Sequence, residues 1–187
     1  MEKYFETHKA KLIFAKDGLY LIDFRREDGR REYYVRFFVD TNTSMVHIEG
    51  DLGYCISEWG NENTLSDISN FMLNVPYWIG KFCCSSDKYE FDEELARIQL
   101  EEDTEELKSM EDYSDNINSI METFSISYGL MINTNDSQEA VEALFGDLCS
   151  CVVGYYGRKI AKRCYLWAEA FDLALKQLGV KKNDKLR

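Results

Sequence analysis

The sequence predicts an α+β fold: an N-terminal antiparallel sheet of four to five strands, followed by a helical C-terminal part packed on it. Three observations predict this. Turn signals recur about every ten residues between 11 and 59, with β-branched and aromatic residues between them. After Trp59 the apolar spacing changes to that of helices. The 187 residues hold 45% apolar side chains and a single proline, enough for one folded domain and unlike a disordered chain.

The strands follow in order. Residues 11–15 and 19–26 flank Lys16-Asp17-Gly18, a hairpin turn signal. A second polar turn, Glu27-Asp28-Gly29-Arg30, leads to residues 31–40, rich in Tyr33, Tyr34, Val35, Phe37, Phe38 and Val39. Thr41-Asn42-Thr43 turns the chain into residues 45–49, Gly50-Asp51-Leu52-Gly53 makes a tight turn, and residues 54–59 form a fifth strand.

Helices take over from there. Thr64-Leu65-Ser66-Asp67 has the form of a capping box and opens a helix through Leu73. Pro76 suits the first turn of a helix over 77–82. Helices are expected over 91–109 and over 112–127, the latter with Tyr113, Ile117, Ile120, Met121 and Phe124 on one face. Asp136-Ser137-Gln138-Glu139 caps another, backed by Val141, Leu144, Phe145 and Leu148. A last helix over 158–178 carries Ile160, Cys164, Trp167, Phe171, Leu175 and Leu178, with Gly179 as its stop. The whole chain is expected to be one domain. Its core should include Leu12, Phe14, Leu21, Val35, Phe37, Ile48, Ile120, Phe124, Leu144, Trp167 and Phe171.

Charge is polarised along the chain. The formal net charge is -12, which argues against a general nucleic-acid coat. Residues 87–115 hold 13 acids and 3 bases, whereas residues 155–187 hold nine bases and three acids. A run so dense repels itself, and it is either a solvated face or a surface that enters a basic groove on a partner. The partner-binding residues expected on the second reading are Glu93, Glu94, Glu101, Glu102, Asp103, Glu105 and Glu106.

Basic residues form a second pattern. Arg25, Arg26, Arg30 and Arg31 flank one turn, and Tyr33, Tyr34, Phe37 and Phe38 follow on the next strand. Arginines with aromatics on a sheet can clamp and stack single-stranded nucleic acid, although no RNP-type motif is present. Arg158, Lys159, Lys162 and Arg163 open the last helix, where the macrodipole disfavours cations, so pairing with the acidic run is expected ahead of pairing with a partner's phosphate.

No catalytic motif emerges: GxSxG, the P-loop and GxGxxG are missing, and His8 and His47 sit in no metal motif. No cofactor and no catalytic residue is assigned, and a carboxylate enzyme without a motif is the remaining enzymatic reading. Of the six cysteines, Cys83/Cys84 and Cys149/Cys151 would hold zinc only if the pairs met in space. Otherwise they are free thiols packed as small hydrophobes. No apolar run approaches the roughly 18 residues of a transmembrane helix, and the charged residues 1–10 do not resemble a signal peptide. A cytoplasmic protein that leaves membranes alone is expected.

Phe38-Val39-Asp40-Thr41-Asn42, Ile48-Glu49-Gly50-Asp51-Leu52-Gly53-Tyr54-Cys55-Ile56, Trp59 and Lys81-Phe82-Cys83-Cys84-Ser85-Ser86-Asp87-Lys88-Tyr89 carry a resemblance. Over residues 36–95 the chain resembles small proteins of phages and prophages of Gram-positive bacteria, a family without assigned catalytic residues. Small acidic phage proteins of this kind resemble anti-CRISPR and other counter-defence inhibitors in character. The resemblance implies a non-enzymatic protein of the host bacterial cytoplasm that inhibits a defence nuclease such as a CRISPR effector. The basic C-terminal segment departs from a uniformly acidic DNA mimic. A nucleic-acid-binding regulator using the basic strand and last helix is the alternative, and an unrecognised hydrolase or nuclease the third.

Overall fold

A computed structural model describes residues 4–92, 94, 95, 98, 99 and 157–180. The helices expected over 112–127 and behind Asp136, most of 91–109, and the core positions Ile120, Phe124 and Leu144 lie outside the described residues. The chain divides into one compact unit, Met1–Lys88 with Ile160–Arg187, and a second, Tyr89–Lys159.

The first unit is a six-stranded antiparallel meander: β1 (His8–Lys16), β2 (Leu19–Arg26), β3 (Val35–Asp40), β4 (Met45–Gly50), β5 (Gly53–Glu58) and β6 (Phe82–Ser85), paired in that order. Helices α1 (Leu65–Leu73), α2 (Val75–Trp78) and α3 (Lys162–Gln177) accompany it. The α+β expectation holds, with one strand more than foreseen. Residues 77–82 were expected to be helical. Instead α2 is short, a 3-10 turn follows at Ile79–Lys81, and the chain straightens to pair Phe82 and Cys84 with β5. The last helix starts at Lys162, because Arg158–Ile160 forms a short strand, β8, that pairs with β7 (Tyr89–Phe91).

Local signals explain the helix ends. At α1 the Thr64 Oγ1 accepts from the Asp67 N–H at 3.2 Å, and the Asp67 carboxylate accepts from the Thr64 N–H at 3.1 Å. This reciprocal cap satisfies two otherwise unpaired donors. At the end of α3, Gly179 takes φ 74° while its N–H donates to the Lys176 carbonyl and that of Val180 to the Leu175 carbonyl. That is the Schellman pattern, which a side chain at Gly179 would strain.

The inner face of the sheet presents Tyr20, Ile22, Phe24, Val35, Phe37, Val39, Val46, Ile48 and Cys55, all buried. Against it packs α3, which buries Cys164, Trp167, Phe171 and Ala174, while α1 packs on α3 and α2 and buries Leu65, Ile68 and Met72. Phe37 and Phe171 meet at 5.0 Å between ring centroids. The buried Trp78 indole donates to Ser57 Oγ at 2.9 Å, so its polar atom is not left unpaired by burial.

Three core expectations are corrected. Leu12 is half-buried on edge strand β1, Leu21 is half-buried on the outer face, and Phe14 is 47% exposed there. Two causes act. The β1–β2 register slips at Ile13, so Phe14 faces away from the side that Leu12 occupies. In β2 both parities carry apolar residues, but Asp23 shares a face with Leu21, so Tyr20, Ile22 and Phe24 turn inward.

The outer edge of β1 is partly sealed. Gln177 of α3 accepts from the Ala10 N–H at 2.9 Å and donates to the His8 carbonyl at 3.0 Å, as a neighbouring strand would. In the second unit Asp92 accepts from Lys159 at 2.9 Å, and the Arg158 guanidinium lies 3.7 Å from the Tyr89 ring centroid. The expected pairing of the late basic residues with the acidic run is thus present at Asp92. Among the described residues no helix is long and apolar enough to cross a membrane.

His8 lies between the rings of Phe5 and Phe24, its Nε2–H donating to the Glu32 carbonyl at 2.9 Å and its Nδ1 buried without a hydrogen-bond partner. Burial lowers its pKa, against smaller upward contributions from the backbone around Glu32. The unfolded chain therefore binds this proton more readily than the folded one, and stability falls as pH drops below the ordinary value of 6.5. We expect a lower urea midpoint at about pH 5.5 than at about pH 7.5, and a smaller difference in His8→Gln.

Candidate functional site: an arginine cleft

The sheet's outer face carries rows of side chains set by the strand register. One row runs Lys11, Asp23, Arg36, Glu49 and Tyr54 across β1 to β5. Where this row meets the β2–β3 loop, a cleft of about 370 Å³ opens. It is lined by Arg25, Gly29, Arg30, Arg31, Tyr34, Arg36 and Glu49. Four guanidiniums against one carboxylate make its wall strongly cationic.

Asp23 organises the cleft. Its side chain is 6% exposed and accepts from Arg36 Nε at 2.6 Å, from Arg25, and from the Tyr34 hydroxyl at 3.3 Å. Burial alone would raise its pKa. The hydrogen bonds and charges of Arg36 and Arg25 outweigh that and hold it below the usual carboxylate range. Arg25 and Arg36 also lie 4.9 Å and 5.8 Å from the Tyr34 ring centroid, at cation–π distance. Arg36 reaches on to Glu49 at 3.4 Å. Two arginines are thus pinned by one buried acid, with their planes ordered before any ligand arrives.

The loop that supplies the remaining arginines is held at its base. Arg26 bonds Asp28 at 2.8 Å and Glu32 at 2.8 Å, and Asp28 also accepts from the Arg30 N–H. The Arg26 hydrogen bond, with help from the Arg30 backbone, lowers Asp28 to a pKa of about 2. Arg31 is exposed and makes no ion pair among the described residues. Tyr33 adopts φ 56°, a conformation rarely taken by a bulky residue. Its ring lies against those of Tyr4 and Phe5, while the next residue, Tyr34, joins the cleft. Strain of this kind gathers where a fold must aim a side chain.

Of the arginines singled out from sequence, Arg25, Arg30 and Arg31 line the cleft, whereas Arg26 braces the loop beneath it. Arg36 and Asp23 were not singled out and nothing tied Glu49 to them, since Arg36 lies 13 residues from each partner and is joined to it only by strand register. The aromatics divide: Phe37 is core, Phe38 is on the outer face, and Tyr33 leaves the cleft. Among the acidic residues, Glu94 is exposed, and Glu93, Glu101, Glu102, Asp103, Glu105 and Glu106 lie outside the described residues. Lys162, expected near a partner's phosphate or the acidic run, donates to the Tyr4 hydroxyl at 2.6 Å. Cys83 and Cys84 are exposed and Cys55 and Cys164 buried, while Cys149 and Cys151 lie outside the described residues. Among the described residues no three His, Cys, Asp or Glu side chains are grouped to hold a metal ion.

The β4–β5 turn fixes Tyr34 from the far side. The Asp51 N–H donates to the Tyr34 carbonyl at 3.0 Å, and the Tyr34 N–H donates to the Asp51 carboxylate at 3.4 Å. Gly50, at φ 152°, faces that carbonyl so closely that a β-carbon would collide with it. Gly29, at φ 79°, has open space where its β-carbon would be. Gly50→Ala should therefore lower stability by about 1–3 kcal/mol and more than Gly29→Ala does, read from urea midpoints of the two variants. Equal losses would show that Tyr34 is not held by this approach.

Comparison with protein-family models, with curated proteins and with solved structures gives no match for this chain, and the chemistry of the cleft rests on its own geometry and charge.

Proposed function

We propose that this chain is a non-enzymatic binding protein whose arginine cleft takes the phosphates of a nucleic acid. The observation that carries the reading is the cleft wall of four arginines, two of them pinned by the buried Asp23. Planar guanidiniums in fixed orientation suit the paired oxygens of a phosphate.

Protonation states favour binding over proton transfer. A general acid or base works best with a pKa near the operating pH. Here Asp23 is held low, Arg36 is raised by its bond to Asp23, and burial with the Asp23 charge raises Tyr34. Every one of these groups keeps a single charge around neutrality. The cleft is built to hold charge in place.

Phosphate binding releases counterions, so affinity for a labelled oligonucleotide should fall steeply between low and physiological salt. Arg30→Ala and Arg31→Ala together should weaken binding about tenfold or more and flatten the salt slope by about one unit for each arginine that neutralises a phosphate. Fluorescence anisotropy at two salt concentrations measures both. No binding at low salt, or double-variant binding equal to the parent's, would falsify the reading.

The charge run over 87–115 favours a second reading, the acidic inhibitor of a bacterial defence nuclease such as a CRISPR effector. A negative field of this density would steer a basic, nucleic-acid-binding groove toward it. Replacing Glu101, Glu102, Glu105 and Glu106 by lysine should leave the fold intact, with circular dichroism as the check. The variant should capture a nuclease from a bacterial lysate more weakly than the parent chain does. If the four-lysine variant captures the same nuclease equally well, the run is only a solvated face.

A further inference from the structure

Beside the row that holds Arg36 between Asp23 and Glu49 lies a second row on the same outer face. Phe14, Leu21, Phe38, His47 and Ile56 are successive register partners from β1 to β5. Phe38, on central strand β3, is 37% exposed, and Phe14, on edge strand β1, is 47% exposed. The Phe38 and His47 rings are stacked, with centroids 5.3 Å apart and planes 19° from parallel. Apolar rings left open on a sheet are a cost unless something covers them.

The two rows are locked in step by the strands. Arg36 precedes Phe38 by two residues on β3, and Glu49 follows His47 by two on β4. Residues i and i+2 of a strand share a face and are spaced about 7 Å apart. That is close to the span from a backbone phosphate through its sugar to the base. The Arg36 guanidinium, on the wall of the cleft, and the Phe38 ring are therefore laid side by side at the spacing one nucleotide needs, one for a phosphate and the other for its base.

Resting on the nucleic-acid reading of the cleft, we infer that the ligand is single-stranded, its phosphates on the arginine cleft and its unpaired bases stacked on the Phe38–His47 pair and Phe14. A duplex hides its base faces inside the stack and offers this ring row nothing. Charge complementarity with Arg36 and with the Arg25, Arg30 and Arg31 side chains of the cleft it lines selects a polyanion over an apolar peptide or a second copy of this chain. Stacking accepts any base, so recognition should be largely indifferent to sequence.

The test uses the full chain and three labelled probes: an oligothymidylate of about eight nucleotides, an abasic strand of the same length, and a duplex. The parent should bind oligothymidylate more tightly than either of the others. Phe38→Ala should weaken oligothymidylate binding about tenfold or more, leave the abasic strand unaffected, and keep the parent's circular dichroism. Phe38→Tyr, which retains a ring, should bind like the parent. Equal binding of abasic, duplex and oligothymidylate probes, or a Phe38→Ala variant indistinguishable from the parent, overturns the stacking row. If in that case Arg30→Ala/Arg31→Ala still weakens the abasic strand, the arginine cleft stands and only the base platform falls. Absence of binding to every probe overturns both. A parent dimer that Phe38→Ala converts to a monomer, with no change in oligothymidylate affinity, would assign the row to self-association instead.

Discussion

A strand shows its side chains to alternate faces, and among the described residues helix α3 packs on one face of this sheet. Once α3 packs on β2 and β3, with Phe171 against Phe37, and Ile22, Phe37 and Ile48 are buried, the opposite parity is committed outward. Asp23, Arg36 and Glu49 become cross-strand neighbours for that reason and no other. The cleft is thus a by-product of the core's demand for one parity. Slipping β3 by a single residue would send Arg36 into the hydrocarbon interior and Phe37 into water.

A cationic site inside an acidic chain needs a way to keep its arginines from collapsing onto nearby carboxylates. The acids here are used as anchors. Asp23 lies beneath Arg25 and Arg36 and Asp28 beneath the loop, so the guanidiniums are tethered at one edge and open at another. Some electrostatic attraction for an anion is given up to this pairing. In exchange, side chains with large rotamer entropy are ordered in advance, which lowers the cost of binding.

Much of the fold could be read from local signals. Thr64 and Asp67 cap α1, Gly179 ends α3, and the turns at Asp17-Gly18 and Gly50 to Gly53 separate strands, because each depends on residues close in sequence. What escaped depends on partners far along the chain. Phe82 and Cys84 become strand only because β5 offers an open edge, and Arg158 to Ile160 leave the last helix because β7 is there to pair with them. The site divides the same way. Arg25, Arg30 and Arg31 were visible around one turn, whereas Arg36 required the pairing of β2 with β3, and the bulge at Ile13 that turns Phe14 outward has no signature in composition.

Gln177 has a consequence for how the protein comes into being. Helix α3 is translated after every strand of the main sheet, yet it supplies both the cover for the inner face and the amide that closes β1 beside His8 and Ala10. Until that helix leaves the ribosome, the nascent meander displays Ile22, Phe37 and Ile48 together with an unguarded edge. Such an intermediate is prone to join its neighbours on a polysome, and the delay before α3 arrives is the interval in which a chaperone would matter most.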